Sequence, residues 1–163
     1  MDPADLLLTI NDTIKSTYEV SRRIDRLKDP RTGPSEAVAS LSDELDGLRN
    51  AIIGIQSCLE STIIPRDRQG AVDGSLQGLL SSVSASLFGC QRLLLNLDLK
   101  ALPAIFRSLD PSTANLSHRT TRDIQIFISK DLRDLKGKTL APYLAQVSAY
   151  KQNFQLAWQS ITV

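Results

Sequence analysis

Aromatic side chains are scarce in this chain: they make up 5% of its 163 residues, with a single Trp, and His also occurs only once. One His and scattered carboxylates supply neither the Glu-x-x-His pairs of a di-metal helical site nor a tetrahedral zinc set, so no metal is expected. Only two cysteines occur, Cys58 and Cys90, without Cys-x-x-Cys spacing. They cannot build a disulfide framework, and each falls on an apolar helical position as a buried, reduced thiol would. An excess of one charge is missing too: 19 basic against 18 acidic residues leave a net charge of +1. That balance excludes the basic footprint of a nucleic-acid binder, and no nucleic-acid partner is expected. There is no glycine-rich phosphate loop, no Gly-x-Ser-x-Gly elbow and no other catalytic motif, so no catalytic residue and no cofactor are assigned. The apolar run Leu6 to Leu8 is too short for a signal peptide. No stretch is read as approaching the roughly 18 apolar residues of a membrane span. The expected location is cytoplasmic, with peripheral membrane contact left open.

What is present is helical periodicity. Asp2 is placed as an N-cap with Pro3 at the first helical position. Apolar residues then recur at Leu6, Ile10, Ile14, Val20, Ile24 and Leu27. The segment Asp29 to Pro34, with two prolines and a glycine, ends this helix. A second helix is predicted from the N-cap Ser35, with a seam of Val38, Leu41, Leu45, Leu48, Ile52, Ile55, Leu59 and Ile63. Pro65 is expected to stop it, and Arg66 to Gly70 reads as an exposed loop. A third seam follows through Leu76, Leu80, Val83, Leu87, Cys90, Leu94, Leu97 and Ala101. Its other face is rich in small residues, including Gly78 and Gly89.

Pro103 and Pro111 bracket a short helical piece, Ala104 to Leu109, and a polar loop runs to Arg119. A fourth helix is predicted with Ile124, Phe127, Ile128, Leu132 and Leu135 inward and Gly137 as its C-terminal stop. A fifth starts near Thr139 to Pro142 and buries Leu144, Val147, Tyr150, Phe154, Ala157 and Ile161. No strand pattern competes. The expected fold is all-α: one domain over residues 1–163, an antiparallel up-down bundle of four main helices plus short extra ones. The apolar, helical stretch Trp158 to Val163 carries no stop signal, as in a chain that continues or a helix that ends at its terminus.

Candidate binding residues lie mainly in the first helix. Leu6, Ile10 and Ile14 form its apolar stripe, and Arg22, Arg23, Arg26, Lys28 and Arg31 crowd its end. Such cations either complement the helix dipole or meet anionic lipid headgroups or an acidic partner. Asp5, Asn11, Asp12, Lys15 and Glu19 make the helix too polar for a simple span, though not for lying in an interface or assembling with polar faces hidden. A second constellation, His118, Tyr143, Tyr150, Lys151 and Trp158, supplies the polar groups that would line a pocket in the core.

The order of these pieces resembles the fungal HeLo-like N-terminal domains of STAND (NLR-like) proteins, and the branch at the N-terminus of azaphilone pigment biosynthesis cluster protein L. The matching pieces are Met1-Asp2-Pro3 and the amphipathic helix after it, then Leu45, Leu48 and Arg49 of a Leu-x-x-Leu-Arg core. Gly89-Cys90 followed by Leu93-Leu94 comes next, and Tyr150-Lys151 leading to Phe154, Leu156 and Ala157 closes the series. The chain departs from that family in its more polar first helix and in Pro103 to Arg119. The resemblance implies a non-enzymatic helical module that signals by self-association or membrane contact through its first helix, in a fungal signalling or incompatibility protein. The alternative it implies is a secondary-metabolism protein holding an apolar metabolite in the core and assisting a cofactor-free cyclisation.

Overall fold

The computed structural model describes residues 2–28, 36–70, 72–108 and 121–162, with side chains described at 2–27, 36–70, 72–105 and 137–162. Every element among them is helical: α1 (Pro3–Asp25), α2 (Glu36–Cys58), α3 (Ile64–Arg68), α4 (Gly74–Asn96), α5 (Leu102–Ser108) and α6 (Thr121–Thr162). The all-α class read from the sequence is what the chain adopts. Ser35, Arg31, His118 and the stretch around Asp110 lie outside the described residues.

Helix α1 starts as its sequence dictates. The Asp2 carboxylate accepts from the Ala4 N–H at 3.0 Å and Pro3 occupies the first turn. An unforeseen cap starts α4, where Asp73 accepts from the Leu76 N–H at 2.8 Å. Gly70, at φ +68°, makes the left-handed turn that separates α3 from α4.

The prolines do not act as the stops expected of them. One wide π turn, Leu59–Ile63, joins α2 to α3, and a second, Leu97–Ala101, joins α4 to α5. In each the next residue donates five residues back, Ile64 to the Leu59 carbonyl and Leu102 to the Leu97 carbonyl. A proline comes directly after, Pro65 or Pro103. In a regular α-helix its ring would strike the carbonyl four residues earlier, and the wider turn relieves that clash. The helices therefore run on to Arg68 and Ser108. The two segments share one pattern: Leu, an acidic residue, two variable positions, two apolar residues, Pro.

The predicted fourth and fifth helices are one, the 42-residue α6, which contains Pro142. Gly137 does not take the positive φ that a helix stop would use. Leu140 before the proline and Val147 and Phe154 after it are fully buried, and this burial outweighs the local break signals.

Helix α1 packs on α2 and α4, and α6 packs on the same two, closing a ring of four. Contacts give the directions. Asp25 meets Ser42 and Ser21 meets Asp46, so α1 and α2 are antiparallel. Tyr150 lies over Gly89, while Ser160 faces Ser75 and Leu79, so α4 and α6 are antiparallel as well. Glu44 meets Lys151 and Gly54 meets Trp158, so α2 and α6 run parallel. Thr13 meets Gln91 and Arg23 meets Asp98, so α1 and α4 also run parallel. Antiparallel neighbours thus account for two of the four interfaces. The chain passes from α2 to α4 through the π turn Leu59–Ile63 and α3, which lie against α1, and Arg66 of α3 borders a groove with Asp73, Leu76 and Ile161.

One cluster of buried aliphatics fills the interior, from Leu6 in α1 to Phe154 in α6. Glycines seat the large side chains of α6. Gly47 lies under the Lys151 stem, Gly54 under the Trp158 ring and Gly89 under Tyr150. A methyl group at position 89 would overlap the Tyr150 hydroxyl and crowd its ring, whereas nothing lies within 4 Å of a methyl at position 78. Gly78→Ala is therefore expected to gain about 0.5–1 kcal/mol from helix propensity. Gly89→Ala is expected to lose about 1–2 kcal/mol net, because overpacking outweighs the same gain. Urea melts of the two variants check the opposite signs.

Candidate functional site

The buried face of α1 is not the stripe its large apolar residues suggest. Leu6, Ile10, Val20, Ile24 and Leu27 are buried, but Thr13 and Thr17 take the middle places and Ile14 is only half-buried. Positions 6, 10, 13, 17, 20, 24 and 27 alternate by four and three, an unbroken heptad seam with two threonines at its centre. The Thr17 hydroxyl donates to the Thr13 carbonyl at 2.7 Å, and the Thr13 hydroxyl donates to the Thr9 carbonyl at 2.8 Å. The Gln91 amide of α4 donates to the Thr13 hydroxyl at 2.9 Å. No polar group in this layer is left unsatisfied, but each threonine forgoes roughly 1–2 kcal/mol of burial relative to a leucine.

Polar contacts hold the rest of α1. Gln56 donates to Asn11, Ser42 donates to Asp25 at 2.9 Å, and Ser21 lies 3.4 Å from Asp46. Arg23 forms an ion pair with Asp98 on the π turn after α4. By contrast, the seam of α2 is aliphatic at Val38, Leu41, Leu45, Leu48, Ile52, Ile55 and Leu59. Of the helices in the ring whose side chains are described throughout, α1 has the most polar grip.

The basic cluster divides. Arg22 and Arg26 are exposed, and the Arg22 guanidinium lies 5.8 Å from the centre of the Tyr18 ring. Arg23 turns to Asp98 instead. Lys28 is in the short 3-10 turn Arg26–Lys28 that ends α1, with its side chain outside the described residues. The structure adds Arg49 of α2, 5.4 Å from the Tyr18 ring and 3.6 Å from Asp46. Tyr18 is thus flanked by two guanidiniums. The pair Tyr18 and Arg22 was legible as an i, i+4 spacing, but Arg49 comes from another helix.

The four described members of the second constellation lie at different places in the packing. Tyr143 packs half-buried against the core, Tyr150 faces α4, and Lys151 and Trp158 face α2. Lys151 meets Glu44 at 2.8 Å, an ion pair lying off the hydrogen-bonding direction. The clefts described are surface grooves between helix pairs. One lies between α1 and α4 around Glu19, Arg23, Gln91 and Asp98, and another between α4 and α6 around Ser82, Ser86 and Asn153. Among the described residues no group of three His, Cys, Asp or Glu side chains could hold a metal ion. Burial pushes the Cys90 thiol up to about 12, so it stays protonated and unreactive at neutral pH. Cys58 is half-buried.

One correction concerns hydropathy. The continuous stretch Gly74–Ile105 is long and apolar enough to cross a membrane by length and composition, contrary to the reading of short runs only. That composition also serves burial, because Leu80, Leu87, Cys90, Leu94 and Leu97 of the same stretch line the core. The class defined by these features is an all-α protein whose first helix is held by a partly polar seam. No family model, curated protein or solved structure matches the chain.

Proposed function

We propose that this chain is a non-enzymatic interaction module that acts by self-association or membrane contact once its first helix leaves its seat. The observation that supports this reading is the threonine layer at Thr13 and Thr17. It weakens the apolar grip of α1 while leaving the helix fully hydrogen-bonded, as a detachable element requires. Leu6 and Ile10 are core residues in the seated state, so they reach a partner only after release. The freed helix would then offer Leu6, Ile10 and Ile14 on one face and Arg22 and Arg26 near its end. That combination suits an anionic membrane surface or a second protein, at a cytoplasmic or peripheral location. The resemblance to HeLo-like modules of fungal signalling and incompatibility proteins points the same way.

A covalent tether tests the release. In a Cys58→Ser background, Asn11→Cys and Gln56→Cys are joined by a short bismaleimide, which clamps α1 to α2. Tethered and untethered proteins are mixed with dye-loaded anionic and neutral vesicles at low and moderate salt. Salt-sensitive binding to anionic vesicles, with leakage abolished by the tether, is expected. Equal binding and leakage with and without the tether would falsify release of α1 as the working step. Absence of binding to both vesicle types removes the membrane arm of the reading.

A further inference from the structure

The outward face of α4 carries exposed residues at Ser81, Ala85, Phe88, Arg92 and Leu95, and the π turn after it adds Leu99. Their spacing is 4-3-4-3-4, the periodicity of a coiled-coil seam, but turned to solvent. Phe88, Leu95 and Leu99 are 61%, 56% and 63% exposed, unusual for large apolar side chains on one helix face. We infer that this stripe docks on the same stripe of a second copy, with the two α4 helices antiparallel about a two-fold axis at position 90.

The residues complement themselves in that register. Ser81 meets Leu99 of the second copy, Ala85 meets Leu95, and Phe88 meets Arg92, each pair occurring twice by symmetry. Small side chains oppose large ones in the outer layers, which fills the seam without overlap. In the central layers a guanidinium lies on an aromatic face. These pairs join the two kinds of seam position, as antiparallel coiled coils require. A parallel pairing would instead set Arg92 against Arg92 and leave gaps between small residues. A membrane is the poorer occupant, because Arg92 sits in the middle of the stripe and Asp98 and Lys100 near its end.

The three apolar side chains together expose roughly 300 Å² per copy, less than half of the about 800 Å² per partner that a standard interface buries, so the expected dimer is weak and reversible. This docking needs no movement of α1, so it stands or falls separately from the release of that helix.

The test uses the full chain with Cys58→Ser. Sedimentation velocity from low to high micromolar concentration is expected to show a monomer–dimer equilibrium. Leu95→Glu is expected to weaken it by about tenfold or more with helicity and melting unchanged. Register is read by disulfide formation between single variants. Ala85→Cys mixed with Leu95→Cys is expected to yield the mixed dimer on oxidation. Neither variant alone is expected to crosslink, since like positions lie about 15 Å apart along the antiparallel pair. A monomer over the whole concentration range overturns the inference, as does crosslinking of either single variant alone. A monomer that binds neutral vesicles and loses that binding with Leu95→Glu assigns the stripe to lipid instead.

Discussion

Phe154→Ala is expected to lower the unfolding free energy by about 3–5 kcal/mol. Phe154 is the largest fully buried side chain among the described residues, at 1% exposure, and stands where α6 meets α4. Its ring also stacks on Tyr150, with centroids 6.5 Å apart. Truncation removes the apolar contact and leaves a cavity that rigid neighbouring helices close only in part. It also frees the Tyr150 ring, whose seat over Gly89 then loses one wall. A domain of this size has about 5–15 kcal/mol in total, so the variant approaches its unfolding threshold at room temperature. Chemical denaturation with an unchanged m-value checks it. Leu156→Ala, two residues on but 62% exposed, is the control and should change stability by less than about 0.5 kcal/mol. A loss below about 1.5 kcal/mol at position 154 would contradict the seating of α6 on α4.

The combined substitution Leu6→Asp and Ile10→Asp is expected to have a larger effect still, above about 5 kcal/mol. Both residues are at 0–1% exposure on the face of α1 that α2 and α4 cover. A carboxylate there has no cation to pair with among the residues of that seam, and it must either be protonated or expel the helix. Expulsion uncovers the aliphatic faces of α2 and α4. The expected signature is loss of amide protection in α1, binding of a hydrophobic dye and a broadened thermal transition. Ile14→Asp is the informative partner. Ile14 belongs to the same apolar stripe in sequence, but it is only half-buried because Thr13 and Thr17 hold the seam. Its effect should be at least about 2 kcal/mol smaller than that of Ile10→Asp alone. Equal effects at 10 and 14 would mean that α1 is rotated from its described seat.

Much of this chain was legible before its structure. The spacing of Val38 through Ile63 and of Leu76 through Ala101 announces two long helices. A 3.6-residue period leaves few other ways to bury such a stripe. The cap at Asp2 was legible for the same local reason, because a side-chain acceptor and a proline at the first turn act within a few residues. Prolines were the systematic source of error. Pro65 reads as a stop, Pro103 as the edge of a short helical piece and Pro142 as a helix start, yet all three sit within helical runs. Two are accommodated by π turns, and the third by burial on either side of it. A proline's local cost is about 3 kcal/mol, and a few buried leucines outweigh it. At the candidate site, the basic residues at the end of α1 were visible, but their division was not. Arg23 turns to Asp98 while Arg22 lies over Tyr18, which depends on what stands across each interface.

By itself, then, the sequence determined the helical class, the inward residues of α2 and α4, and the chemistry available: no motif for catalysis, two isolated thiols, balanced charge. These follow from interactions within one or two helical turns, which periodicity records. Only the tertiary structure decided that α2 and α6 run parallel, that Thr13 and Thr17 displace Ile14 from the seam, and that Gly47, Gly54 and Gly89 seat side chains of α6. It also decided that the stripe from Ser81 to Leu99 faces outward. Each of these depends on which of several similar faces is covered by a distant segment. A helical sequence presents several such faces, and packing alone selects among them.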